Sequence, residues 1–150
     1  RTGAENKMSG AAAAKTINIV HSDSYKTTFS YNRWDYTYKM SMYSRAAGAF
    51  ENTVDELTGK QLGFTNLLVC FAGIADYPGN SGGVQQVDYV SGGEAYFFTR
   101  GGVQRGTWQK ASPEHPLKAY AADGSEFCFN RGKTYLAIVD DDEWSNFNYQ

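Results

Sequence analysis

The feature that most constrains this chain is alternation at a period of two. Tyr25, Thr27, Phe29 and Tyr31 are separated by Lys26, Thr28 and Ser30; beyond Asn32-Arg33-Trp34-Asp35, Tyr36, Tyr38, Met40 and Met42 are separated by Thr37, Lys39 and Ser41. Successive side chains of a strand point to opposite faces, so the pattern predicts two half-buried strands joined as a hairpin. The same alternation begins at Thr16-Ile17-Asn18-Ile19-Val20. A 15% aromatic content, with Tyr 11, Phe 9 and Trp 3, favours strands over helices.

Farther along, Phe64–Ala72 is apolar at both parities, as in a central strand covered on both faces. Val84–Ser91 reads as a strand, followed by a bend at Gly92-Gly93. Glu94–Arg100 and Val103–Lys110 flank Gly101-Gly102, a pair able to take the positive φ of a tight turn. Leu117–Ala121 and Ser125–Phe129 flank Asp123-Gly124, and Thr134–Val139 is a last apolar strand. Arg45–Gly63 reads as a long connection carrying a short helix over Phe50–Leu57. About nine short strands at turn spacings of roughly 8–12 residues predict a mostly-β antiparallel barrel or sandwich with hairpin connections. Residues 1–15 read as a flexible N-terminal tail or linker, 16–140 as the β domain and 141–150 as an acidic, aromatic C-terminal tail.

At 150 residues the chain suits one domain, and a chain of that length buries roughly 70% of its unfolded surface without needing disulfides or metal. Lys+Arg 14 against Asp+Glu 16 leaves no basic excess for a nucleic-acid backbone. No apolar run reaches the roughly 18 residues of a membrane-crossing helix. The opening Arg1-Thr2-Gly3-Ala4-Glu5 lacks the apolar core of a signal peptide. Cys70 and Cys128 both sit in apolar strands and read as buried hydrophobes, with a disulfide open only if those strands are neighbours.

No stretch carries a convincing catalytic pattern. Gly79-Asn80-Ser81-Gly82-Gly83 is similar to a serine-protease nucleophile loop, but Asn stands where Asp belongs, and a Gly-rich turn accounts for it. In His21-Ser22-Asp23-Ser24 the neighbours diverge to opposite faces, so the segment reads as a capped strand break. Cys70 has no cation beside it to activate a thiolate. Asp140-Asp141-Asp142-Glu143 lacks the alternating ligands of a calcium loop and reads as solvated. No nucleotide or zinc spacing is present, so no metal and no cofactor is assigned. The aromatics offer a different chemistry: Trp34, Tyr36, Tyr38, Tyr96 and Trp108 are suited to stack on a sugar ring or a peptide where they are exposed.

Ser91-Gly92-Gly93-Glu94-Ala95-Tyr96-Phe97-Phe98, then Gly101-Gly102-Val103, then Gly106-Thr107-Trp108-Gln109-Lys110 form an ordered series. It continues through Asp123-Gly124, Asn130-Arg131-Gly132-Lys133-Thr134-Tyr135 and Ile138-Val139. Ser22-Asp23-Ser24-Tyr25 and Asn66-Leu67-Leu68-Val69 precede it. The series resembles the C-terminal domain of the YerB-like lipoproteins, the DUF3048 family, over residues 16–140, with Asp140 where the family often has Pro. The resemblance implies a Gram-positive type of cell and an extracytoplasmic place. It also implies a lipoprotein anchor and an amino-terminal domain that precede this part. It carries no catalytic residue.

These readings lead to a non-enzymatic binding or scaffolding module of the cell envelope, with a wall glycan or an envelope protein as partner. Trp34, Tyr36, Glu94, Arg105 and Trp108 are the candidate ligand-binding residues, Arg105 lying on the opposite face of its strand from Trp108. The alternative is the substrate-binding part of an envelope hydrolase or transferase completed by the amino-terminal domain. A cleft holding His115, Glu114 or Asp88 would favour it. Simple packing against that domain is a third reading and predicts an apolar patch.

Overall fold

The computed structural model describes residues 5–79 and 83–150. Its strands, in chain order, are Ala12–Ala13 (β1), Thr16–Ser22 (β2), Tyr25–Asn32 (β3), Thr37–Ser44 (β4) and Ala49–Asn52 (β5). Gly63–Phe64 (β6), Asn66–Ala72 (β7), Ile74–Asp76 (β8), Gln85–Val87 (β9) and Gly93–Thr99 (β10) follow. Gly102–Gln109 (β11), Lys118–Ala121 (β12), Thr134–Asp140 (β13) and Asn148–Tyr149 (β14) complete them, with one 3-10 turn at Asp141–Asn146. Two six-stranded sheets result, with β8 and β9 paired apart from them as a two-stranded ribbon. Sheet I runs β1-β11-β10-β7-β13 with β12 beside β11, and sheet II runs β14-β2-β3-β4-β5 with β6 beside β4. The sheets stack as a sandwich and do not close into a barrel.

Alternation decides what lies between the sheets. Ile17, Ile19, Phe29, Tyr38 and Met40 from sheet II meet Leu67, Val69, Phe71, Phe98 and Val139 from sheet I in one buried cluster. The opposite parity of β7 and β10, namely Leu68, Cys70, Ala72, Ala95 and Phe97, enters a second cluster with Trp108, Ala119 and Phe127. Every residue of β7 is therefore buried, which explains its unbroken apolar run. Gly93 lies at a close approach in this second layer: a Cβ there would stand 2.3 Å from the Phe71 carbonyl and 2.9 Å from Trp108 Nε1.

The hairpin expected over Tyr25–Met42 is present, with Asn32 paired to Thr37 and Phe29 to Met40. Ser125–Phe129 forms no strand and keeps only a single bridge from Glu126 to Tyr120, and five other expectations change. First, the segment read as a helix over Phe50–Leu57 is a strand arm, because Phe50 packs on Tyr43 across β4 and β5 and Val54 bridges Gln61. Second, Phe64–Ala72 is divided: Phe64 pairs with Tyr38 in sheet II, and the chain passes through Thr65 into sheet I. Third, the Val84–Ser91 strand shortens to β9, since Asp88 Oδ1 accepts from the Val90 and Ser91 amides and turns the chain. Fourth, the positive-φ pair of the β10–β11 turn is Arg100-Gly101 rather than Gly101-Gly102, with Gly102 already paired to Thr99. Fifth, β13 is parallel to β7, because the chain between them makes the rest of sheet I instead of a hairpin.

Both expected tails are tied in where they are described. Asn6 N–H donates to Asn130 Oδ1 (2.8 Å), and Asn130 Nδ2 donates to Asn6 O (2.8 Å) and Thr99 Oγ1 (2.9 Å). Asn130 and Asn66 exchange two further hydrogen bonds, satisfying amides that are otherwise costly to bury. Met8 is buried, and Ala12–Ala13 pair with β11. At the other end Phe147 packs on Phe71 and Tyr96, and β14 pairs with β2. Asn80, Ser81 and Gly82, on which the protease-like reading falls, lie outside the described residues. Cys70 is a buried free thiol, and Cys128 is half-buried.

Candidate functional site

The structure distributes the five sequence candidates over three places. Trp108 is fully buried and donates its indole N–H to the Phe71 carbonyl at 2.7 Å. It is a core residue, because its parity on β11 faces the second apolar layer, and a surface ligand cannot reach it. Tyr38 and Tyr96, also considered as platform aromatics, are buried as well. Trp34 and Tyr36 lie together on the β3–β4 turn, while Glu94 and Arg105 form an ion pair on β10 and β11, on the face away from Trp108.

Trp34 is the most exposed tryptophan in the molecule, at 80%. Asn32 Oδ1 accepts from its amide at 2.9 Å, and Asp35 accepts from Thr37 and Lys39, so the turn holding it is braced at both ends. Burial pushes the Asp35 carboxyl up, but the bonds from Lys39 and Thr37 outweigh this and hold it below its ordinary value. Arg33 lies 4.7 Å from the centre of the Trp34 ring. Tyr36, at φ 56°, turns the other way, and the Arg100 guanidinium covers its ring at 3.8 Å while pairing with Glu5.

Below Trp34 the outer face of sheet II holds an open groove of about 490 Å³ lined by Ser30, Lys39, Ser41, Asn52 and Gln61. The pairing register explains the groove's chemistry. Asn148, Asn18, Thr28, Ser41 and Asn52 are successive partners across β14, β2, β3, β4 and β5 and form one uncharged row. Thr28 donates to Asn18 Oδ1 and Asn18 to Asn148 Oδ1, each at 2.7 Å. Ser41 donates to Asn52 Oδ1 at 3.1 Å, which also accepts from Gln61 at 3.0 Å. The amides and hydroxyls are thereby oriented in advance. Beyond the row, Tyr43 and Phe50 put a pair of rings on the same sheet.

The region named for the alternative reading is concave but turn-bound. His115 lines a cavity with Ser91, Lys110, Lys118 and Tyr120. Hydrogen bonds from Ser112 hold the exposed Glu114 carboxyl below its ordinary value, with a small contribution from Lys110. Hydrogen bonds from Ser91 do the same for the exposed Asp88. Both carboxylates are occupied in closing loops. The carboxylates of Asp140, Asp141 and Asp142 lie within 4.8 Å of one another, and Asp140 caps the 3-10 turn. Buried and without a nearby cation, the Cys70 thiol is pushed up to about 12, the opposite of nucleophile activation.

Sequence reasoning missed the groove's floor. Ser30, Lys39, Ser41 and Asn52 are the outward half of the alternating strands, and only the register of three separate strands aligns them. It also missed Trp144, whose indole donates to Glu94 at 3.0 Å from the 3-10 turn. No described helix is long and apolar enough to cross a membrane.

Comparison with known proteins places these observations in a family. A family profile described as "Protein of unknown function (DUF3048) C-terminal domain" matches residues 17–136. The crystal structure of the YerB protein from Bacillus subtilis superposes with a TM-score of 0.65 at 22% identity, over 83% of this chain and 39% of that one. The chain thus spans well under half the length of that protein. No curated protein matches.

Proposed function

The chain belongs to the DUF3048 C-terminal domain family, and on that premise we propose that it is a non-enzymatic binding module of the cell envelope whose partner is a wall glycan. The observation that carries this reading is Trp34, 80% exposed on a braced turn at the rim of a polar groove whose floor continues into an uncharged row of amides and hydroxyls. A sugar ring has an apolar face and a rim of hydroxyls. An indole covers the first, and oriented amides and hydroxyls meet the second. A five-strand face with aromatic side chains on either side of its polar row along the strands suits an extended chain better than a compact ligand. The envelope location and a lipoprotein anchor upstream belong to the same proposal and rest on the family resemblance.

The test is co-sedimentation of the purified domain with insoluble Gram-positive sacculi, wild type beside Trp34→Ala. We expect the wild type to pellet and the variant to remain largely in the supernatant with an unchanged melting temperature, because the side chain is solvated. A wild-type domain that stays in the supernatant, or a variant that pellets equally, overturns the reading.

A further inference from the structure

Sheet I extends past sheet II along β11 beyond Val103 and along β12, and the overhang exposes the face opposite Trp108. The register sets this up. Trp108 pairs with Ala119, and both are buried on one side; Gln109 pairs with Lys118 and Thr107 with Tyr120, so these alternate to the other. At the end of the overhang lies a cavity of about 530 Å³, lined chiefly by Ser91, Gln109, Lys110, His115, Lys118 and Tyr120. We propose that this cavity is a second binding site, independent of the groove on sheet II, and that it takes a phosphate-bearing anion.

Charge is the first reason. Two ammonium groups and an imidazole line the cavity, and no carboxylate does, although the whole chain carries a net charge of −2. The carboxylates around it already have partners, one of them the cavity's own Lys118. Glu126 accepts from Lys118 at 3.2 Å on the exposed side, Glu114 accepts from Ser112, and Asp88 accepts from two backbone amides. Lys110 is held over the Tyr89 ring, its Nζ 4.8 Å from the centroid, which positions the cation without neutralising it.

Donor number and geometry are the second. Ser112 donates to Glu114 Oε2 at 2.6 Å, so its oxygen accepts from His115 Nδ1 at 2.7 Å. That chain uses Nδ1 to hold the ring in one orientation, and Nε2 donates to an anion in the imidazolium form. With the ammonium groups of Lys110 and Lys118, the Tyr120 hydroxyl and the Gln109 amide, the wall offers more donors than one planar carboxylate uses. A phosphate, with three strong acceptor oxygens, uses them. The volume exceeds that of a bare ion and falls in the range of small-molecule sites, so the phosphate carries an organic body.

The experiment is a titration of the domain at constant ionic strength with inorganic phosphate and with glycerol 3-phosphate, followed by amide chemical shifts. Vesicles with and without phosphatidylglycerol are sedimented in parallel. The variants are Lys110→Gln and, as a control on an unrelated exposed lysine, Lys60→Gln. We expect saturable shifts at Ser91, Lys110 and Lys118, with binding weakened about tenfold or more in Lys110→Gln, the loss typical of one charge-assisted hydrogen bond, and unchanged in Lys60→Gln. Binding of glycerol 3-phosphate in solution identifies a free phosphoester as the source. Binding confined to phosphatidylglycerol vesicles and weakened by the same variant identifies a lipid headgroup. No saturable binding of either, or equal weakening by both variants, overturns the proposal. Neither result depends on whether the domain pellets with sacculi.

Discussion

Strands β3 and β7 each lie inside a five-strand path, each flanked by a partner on both sides, yet they are built differently. In β7 all of Asn66–Ala72 is buried; in β3 only Thr27 and Phe29 are. The difference is the number of covered faces. Sheet I has sheet II against one face and, against the other, Met8, Leu117 and Phe127 packed on its own Phe97 and Trp108. Sheet II has a partner on one face only. One sheet is thus spent on stability, apart from its overhang, and the other keeps a face for contact. Both candidate binding surfaces lie where a second layer stops.

The comparison is broken most severely at Trp108. Removing its side chain in Trp108→Ala empties the centre of the second layer and leaves the Phe71 carbonyl without its donor. We expect a loss of about 3–5 kcal/mol, measured by urea denaturation. An effect below about 1 kcal/mol, the level of an ordinary surface change, would mean that the second layer contributes little.

A smaller effect comes from the thiol buried in β7. Folding raises the Cys70 pKa from 9.0 to about 12 by burial, so the folded state retains a proton that the unfolded state loses. The contribution is fully present below pH 9 and is lost as pH rises from there toward 12, at up to about 1.4 kcal/mol per pH unit. The expected outcome is a melting temperature that falls above pH 9 less steeply in Cys70→Ala, with native Cys70 unreactive to a thiol reagent near neutral pH. Rapid modification of Cys70 in the native state would contradict the closed second layer.

The smallest effect belongs to the open face. Ser41→Ala removes one exposed hydrogen bond to Asn52 and should change stability by less than about 0.5 kcal/mol. A loss comparable to that at Trp108 would mean that the polar row is structural and that the two sheets do not divide their tasks.

Much of sheet II was legible in the chain, because a sheet covered on one face writes its burial as strict alternation, and the Tyr25–Met42 hairpin shows it. The Asn66–Ala72 strand was legible as doubly covered, but not what covers it. The short pieces were not legible. Ala12–Ala13 and Asn148–Tyr149 are two residues each, and their pairing depends on β11 and β2, far away in the chain. The candidate site was partly legible. Trp34 was exposed as its turn position implied, whereas Trp108 looked equivalent in sequence and is core, because parity on β11 is assigned by whatever packs on each face.

Local chemistry acts between neighbours in the chain. Alternation, turn residues and the ordered family motifs therefore determined the strands, the absence of a long apolar helix and the family itself. Register, the parallel placement of β13 and the extent to which one sheet overlaps the other are set by contacts between residues far apart in sequence. Those contacts alone decided that Asn148, Asn18, Thr28, Ser41 and Asn52 share a row, that Lys110, His115 and Lys118 share a cavity, and that Trp108 lies beneath the surface while Trp34 lies on it.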